Sequence, residues 1–317
     1  TKMFLFDTIF GFVLVSQVCV GVLGNSLLFV LYMCIFLFQP HLKKPIDSIF
    51  MHLTIVNILT ITFSLLPDAM SYFGVKHFLN DVGCQAVLYI FRVSRGVSIC
   101  TTSLLSTFQA ITISPSNSKW VLLKSKLSML IFPSFLFFWI INMLIYIHVI
   151  KFVRAKRNST LVGRGYSHVY CEGHQLGNGN FGVFFSVILI RDLLFLVLMI
   201  WTSLYMTILL YRHQRRARHV HSPDLSFQTS REHKVIYLVL LLVSCFVFFF
   251  CSNNVLTIYT FYAPKKIVTI DVINGMLSSC FSTVCPFLLM RNNKIISQLT
   301  SCFSVMDITC FQRVLSG

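Results

Sequence analysis

The 317-residue sequence predicts an all-α membrane protein, a bundle of seven transmembrane helices. Three observations predict it. The residues are 56% hydrophobic and only 11% charged, with a mean hydropathy of +0.78. A soluble domain carries about 25% charged residues, and so few charges could not cover so much apolar surface. Finally, seven windows reach the length of about 20 predominantly apolar residues that a bilayer crossing needs.

The first window spans 9–38. Its apolar run far exceeds the roughly 7–15 residues of a signal peptide, and no small-residue cleavage site follows, so it is a span behind a very short amino-terminal tail. The second (49–72), third (87–113) and fourth (127–147) are separated by polar, basic or Pro/Gly-bearing loops, as are the fifth (184–211), sixth (235–261) and seventh (267–290). After the last span, "RNNKIISQLTSCF" puts Ile295, Ile296, Leu299 and Phe303 on one helical face, the pattern of a short interfacial helix. The organisation is therefore a seven-span domain over 1–290 and a cytoplasmic tail over 291–317, in which Cys302 is a candidate for palmitoylation.

Seven spans put the termini on opposite faces. The carboxy-terminal face collects Lys43, Lys44, Lys119, Lys124, Lys126, the six Lys and Arg from Arg212 to Lys234, and Arg291, Lys294 and Arg313. The other face has fewer, five of them in the fourth loop, so the positive-inside rule makes the carboxy terminus cytoplasmic by a modest margin. Asn158-Ser159-Thr160, a glycosylation sequon, falls on the opposite, extracellular face. So do Cys84 and Cys171, which a disulfide could join in an oxidising compartment. A lone sequon and two of 11 cysteines are weak signals alone, but both agree with an extracellular amino terminus.

No catalytic constellation is present. His-Glu-x-x-His, Gly-x-Ser-x-Gly and a phosphate-binding loop are missing, and the ten acidic residues are too scattered for paired carboxylates. "EGHQLGNGNFG" (172–182) is Gly-rich but follows no predicted strand, so it reads as a flexible loop. His213, His219 and His221 lie among Arg212, Arg215, Arg216 and Arg218, which would repel a metal ion. No cofactor, metal or nucleic-acid partner is expected. A transporter would show related halves and midplane acids, and a channel a polar pore face or filter loop. The sequence shows neither, leaving a receptor with an outer cleft for a ligand and a basic inner face, "YRHQRRARHVH" (211–221), for a protein partner or anionic lipid.

The third span carries the chemistry. Arg92, Arg95, Ser98, Thr102, Ser106 and Gln109 recur every three or four residues and so share one helical stripe. An arginine at mid-bilayer costs about 2.5–3.5 kcal/mol on insertion scales, so the stripe should face inward. Asp68 in the second span and Arg191 and Asp192 in the fifth are the candidate partners. Two readings stand: an acid neutralises the arginines structurally, or an arginine meets a polar or anionic ligand group, with Ser98 and Thr102 helping to position it.

"HLKKPIDSIFMHLTIVNIL" (41–59), "RVSRGVSICTTSLLSTFQAITISPSNSKW" (92–120), "RDLLFLVLMIWTSLYMTILLYRHQRRARHVHS" (191–222) and "CFSTVCPFLLM" (280–290) together resemble the vomeronasal type-1 pheromone receptors. The resemblance implies a G-protein-coupled chemosensory receptor for small pheromonal molecules, signalling through an inhibitory-type heterotrimeric G protein from the plasma membrane. It is consistent with the Cys84–Cys171 pairing, the sequon at Asn158 and a G-protein face around Gln109, Arg212, Arg215 and Arg216. Phe108-Gln109-Ala110 replaces the acidic-Arg-Tyr triplet of rhodopsin-like receptors, and Asn57 replaces their acidic sodium-site residue. Ser282, Cys285 and Lys234 depart from the family's usual residues, so a signalling-impaired relative is one alternative and a seven-span transporter or channel another.

Overall fold

The computed structural model describes residues 2–38, 44–73, 75, 79–115, 121–155, 171–173, 178–219, 223–262 and 268–291. Seven helices account for nearly all of them: α1 (Lys2–Phe38), α2 (Pro45–Tyr72), α3 (Asp81–Thr112), α4 (Val121–Phe152), α5 (Asn178–His219), α6 (Pro223–Tyr262) and α7 (Val268–Met290). Most outrun their apolar windows, because a helix started in the bilayer continues until a breaker or cap stops it. Thus α5 carries the basic segment as helix as far as His219. Among the described residues, six helices are long and apolar enough to cross a membrane. α3 is not one of them, since its arginines and hydroxyls dilute its hydropathy, yet α2, α4, α5 and α6 all pack against it.

Local sequence explains the ends. Pro45 opens α2 at a position where its missing N–H costs nothing, and the Asp47 carboxylate accepts from the Lys44 backbone N–H at 2.8 Å. Asn80 caps α3 by accepting from the Gly83 N–H at 2.8 Å. Pro67, Pro133 and Pro286 lie within helices, as neighbouring helices in a membrane permit.

The Gly-rich segment departs from the expected flexible loop. Val153–Ala155 (β1) and Cys171–Gly173 (β2) pair antiparallel, and α5 already begins at Asn178, so only residues 174–177 of that segment lie outside the described set. A disulfide joins Cys84 of α3 to Cys171 of β2, with Cα atoms 5.7 Å apart, and fixes the hairpin over that end of the bundle. Asn158, Cys302 and the expected interfacial helix also lie outside the described residues.

Interhelical packing in a bilayer relies on close approach and polar contacts, since lipid supplies no hydrophobic drive between helices. A Cβ on Gly21 would stand 2.6 Å from Ile61 Cδ1 and 3.1 Å from Thr283 Oγ1, so this glycine lets α1 meet α2 and α7. One turn on, Asn25 donates to the Ser282 carbonyl at 2.9 Å and accepts from Asn57 at 3.1 Å. Ser282 accepts this bond through its backbone carbonyl, inside an unbroken α7.

A second rivet joins α2, α3 and α4. Trp139 Nε1 donates to His52 Nε2 at 3.0 Å, and Thr101 Oγ1 lies 3.2 Å from His52 Nδ1. An indole N–H can only donate, so Nε2 is the bare nitrogen and the imidazole proton belongs on Nδ1. His52 also stacks on Phe135, with ring centroids 4.0 Å apart and planes within 5°.

Candidate functional site

Near its middle α3 has two polar surroundings, and Gly96 separates them. On one side stands the Arg191 and Asp192 pair of α5, 10% and 16% exposed. Arg191 donates to Asp192 Oδ1 from Nη2 at 2.5 Å and from Nε at 2.9 Å. It donates also to Asn142 Oδ1 at 2.6 Å and to the Tyr146 hydroxyl at 2.9 Å, both on α4, with the guanidinium 5.2 Å from the Tyr146 ring centroid. Asn142 in turn donates to the Phe138 carbonyl at 2.8 Å and to Cys100 Sγ of α3 at 3.7 Å. This clamp holds α3, α4 and α5 together.

Gly96 makes room for it. A Cβ there would collide with Asn142 Oδ1 and stand 2.9 Å from Arg191 Nη1. Gly96→Ala should therefore part α3 from the clamp and destabilise the fold by about 1–3 kcal/mol, the usual cost of overpacking. Thermal unfolding of the purified chain in lipid nanodiscs checks this, with Gly275→Ala, where a Cβ meets nothing nearer than 3.4 Å, as control.

On the other side Arg95 turns toward α6. Nη2 donates to Asn254 Oδ1 at 3.2 Å, and the guanidinium lies 5.3 Å from the Phe250 ring centroid. These contacts are with a neutral amide and an aromatic face. Asp192, which the sequence offered as an arginine partner, is engaged by its neighbour Arg191. Asp68 is fully buried on α2 beside Gly275 of α7. Arg92 is half-buried, 5.8 Å from the centroid of the adjacent Phe91 ring.

Arg95 and Ser98 open onto a cleft with about 350 Å³ of space, part of it open to the surroundings. Thr60 of α2 and Ser278 and Ser282 of α7 add hydroxyls, while Phe246, Phe249 and Phe250 of α6 with Phe281 of α7 form an aromatic wall. Phe246 stacks on Phe250 at 5.6 Å and meets Phe281 edge-on at 4.8 Å. Asn253 lines the cleft as well and donates to Asn274 Oδ1 at 2.6 Å, tying α6 to α7. No carboxylate is among the described lining residues. The arrangement suits a small amphiphile: a flat apolar body on the aromatic wall and one polar or anionic group on the guanidinium.

The cleft lies deeper than the sequence places it. Arg95 is roughly 20 Å along the axis from Asp81, at 1.5 Å per residue, and so at mid-helix. α5 contributes nothing to the described lining, and Arg191 and Asp192 belong to the clamp. Thr102 returns its hydroxyl to the Ser98 carbonyl at 2.9 Å, and Ser106 lies 2.5 Å from Thr202 of α5. Asn142, Phe250, Asn253 and Asn254 escaped sequence reading, although two adjacent amides in the sixth window and one in the fourth are the signal that marks them.

At the end opposite the disulfide, Gln109 is buried, Arg212 and Arg215 are exposed on α5, and Arg215 lies 5.0 Å from the ring of its neighbour Tyr211. Arg216 follows on the same helix, and Lys234 is exposed near the base of α6.

The sequence profile of the vomeronasal organ pheromone receptor family matches residues 8–302. Vomeronasal type-1 receptor 4 of Homo sapiens is 35% identical over 279 residues, covering 87% of this chain and 92% of that one. Vomeronasal type-1 receptor 3 of Homo sapiens is 35% identical over 297 residues, covering 93% and 94%. The olfactory receptor class A-like protein 1 of Danio rerio is 31% identical over 288 residues, covering 90% of each. The match includes every helix that builds the cleft and the clamp, and this chain belongs to the vomeronasal type-1 receptor family, a family of membrane-spanning receptors and not of enzymes.

Proposed function

We propose that the Arg95 cleft is the ligand site of a chemosensory receptor coupled to an inhibitory-type heterotrimeric G protein. The observation that carries this reading is the Arg95 guanidinium, held in the bundle by a neutral amide and an aromatic face, with no carboxylate among the cleft's described lining. A ligand's polar or anionic group supplies better hydrogen bonds than Asn254 does. Its apolar body parts the narrow seam between α3, α6 and α7. Because Asn254 and Asn253 tie α6 to α3 and α7, a ligand that takes Arg95 from Asn254 favours a state in which α6 has moved.

The disulfide end faces outward in this reading, with a glycan on Asn158. The segment of α5 that carries Arg212, Arg215 and Arg216 meets the G protein inside the cell, with Gln109 buried at the same end, beside a tail over 291–317 in which Cys302 carries a palmitoyl group. Charge supports that orientation, since the exposed arginines of α5 extend from the end opposite the disulfide. Ser98 lines the cleft beside Arg95, Arg92 and Asp68 shape its approach, and Thr102 supports Ser98 through its carbonyl, whereas Arg191 and Asp192 act on the fold. Expression with a promiscuous G protein, followed by screening of urinary and steroid-like fractions, tests the reading. A dose-dependent response supports it, and silence toward every fraction from a surface-displayed chain counts against it.

A further inference from the structure

A second cleft, with about 230 Å³ of space, part of it open to the surroundings, lies between α1 and α2 at the end of the bundle opposite the disulfide. Tyr32, Asp47 and Ser48 form its polar wall, and Ile35, Phe36 and Met51 its apolar one. Tyr32 is only 5% exposed and stacks on Phe50 with ring centroids 6.1 Å apart. Its hydroxyl is buried and makes no hydrogen bond within the described structure. Leaving such a group unmade costs about 1–3 kcal/mol, and buried hydroxyls are nearly always satisfied.

The position narrows what satisfies it. Tyr32 precedes the end of α1 by about 9 Å at 1.5 Å per residue, and Asp47 is in the first turn of α2, so the polar wall stands at the depth where a lipid's head meets its hydrocarbon. Phe36 is 39% exposed, which sets the cleft on the lipid-facing surface. A phosphate head group would meet the Asp47 carboxylate and be repelled. A lone water would satisfy the phenol but leave the apolar wall unfilled. A hydroxyl both donates and accepts, as a phenol beside a carboxylate and a serine requires, and a hydrocarbon attached to it covers Ile35, Phe36 and Met51.

We infer that this cleft binds a hydroxyl-headed lipid of the bilayer, its hydroxyl bonded to Tyr32 and its hydrocarbon against the apolar wall. Sterols and diacylglycerols share that chemistry. The purified full chain is placed in phosphatidylcholine nanodiscs alone, with cholesterol, with the corresponding 3-ketone, or with diacylglycerol, and its unfolding temperature is read. A hydroxyl-bearing lipid should raise it by about 2–4 °C. The lipid that does so identifies the source, and the ketone should give less.

Tyr32→Phe should unfold no lower than the parent in phosphatidylcholine alone, and up to a few degrees higher because it removes a buried hydroxyl that lacks a partner, and should lose the rise. Met51→Trp, which fills the cleft from its apolar side, should lose it too. A rise that persists in both variants assigns the effect to the bilayer and overturns the inference. No rise with either lipid overturns it equally.

Discussion

Arg191→Ala should largely abolish surface display. The substitution strands the Asp192 carboxylate, 16% exposed, and removes the donors that Asn142 and Tyr146 receive. Breaking a buried pair by deleting one partner costs about 3–5 kcal/mol, a large share of the roughly 5–15 kcal/mol that keeps a protein folded. Removing both charges in Arg191→Met/Asp192→Leu should restore much of the display, since apolar replacement of a buried pair is often neutral. Surface labelling of live cells together with detergent-solubilised melting curves measures both. Normal display of the single variant would show that the clamp is dispensable.

Asn254→Asp should leave the receptor on the surface but blunt its response. A carboxylate 3.2 Å from Arg95 Nη2 replaces a neutral hydrogen bond with a charge-assisted one, worth about 1.5–3 kcal/mol. The ligand must then displace it in place of an amide bond worth about 0.5–1.5 kcal/mol, and at 1.4 kcal/mol per factor of ten the difference of about 1–1.5 kcal/mol should raise the half-maximal concentration by about 5–12-fold. Asn254→Ala should shift the response in the opposite direction and raise basal signalling, because Arg95 and α6 lose a tie. Concentration–response curves at matched surface density measure this. Equal potency in the two variants would separate Asn254 from ligand recognition.

Six of the seven helices were legible in the sequence because a bilayer crossing leaves long apolar windows, and α3, diluted by its arginines and hydroxyls, was legible from the helical spacing of that polar stripe. The Cys84 and Cys171 pairing was legible from parity, which puts both on one face, and the structure bonds them. The partners of the arginines were not legible. Residues i and i+1 do not face each other on a helix, so sequence reading looked for carboxylates on other spans. A long guanidinium side chain curls back onto its neighbour, and Arg191 thereby bonds Asp192 directly while Arg95 bonds Asn254.

Neutral amides hid the rest. Asn142 and Asn254 carry no charge to stand out in an apolar window, yet each accepts from an arginine and so decides which way that arginine points. Gly96 has no side chain to draw notice in the sequence. In three dimensions it is the gap that admits the clamp. The two-stranded hairpin was missed because three-residue strands leave no periodic signal, and here the disulfide fixes them.

The division of labour between the two arginines, one holding the fold and the other receiving the ligand, is tested most directly by Arg95→Ala, with surface density and response measured in the same cells. Surface density near the parent's and a response lost or weakened at least about tenfold would agree with a ligand-facing Arg95. Arg95→Ala with the parent's potency, or one retained inside the cell like Arg191→Ala, would contradict it.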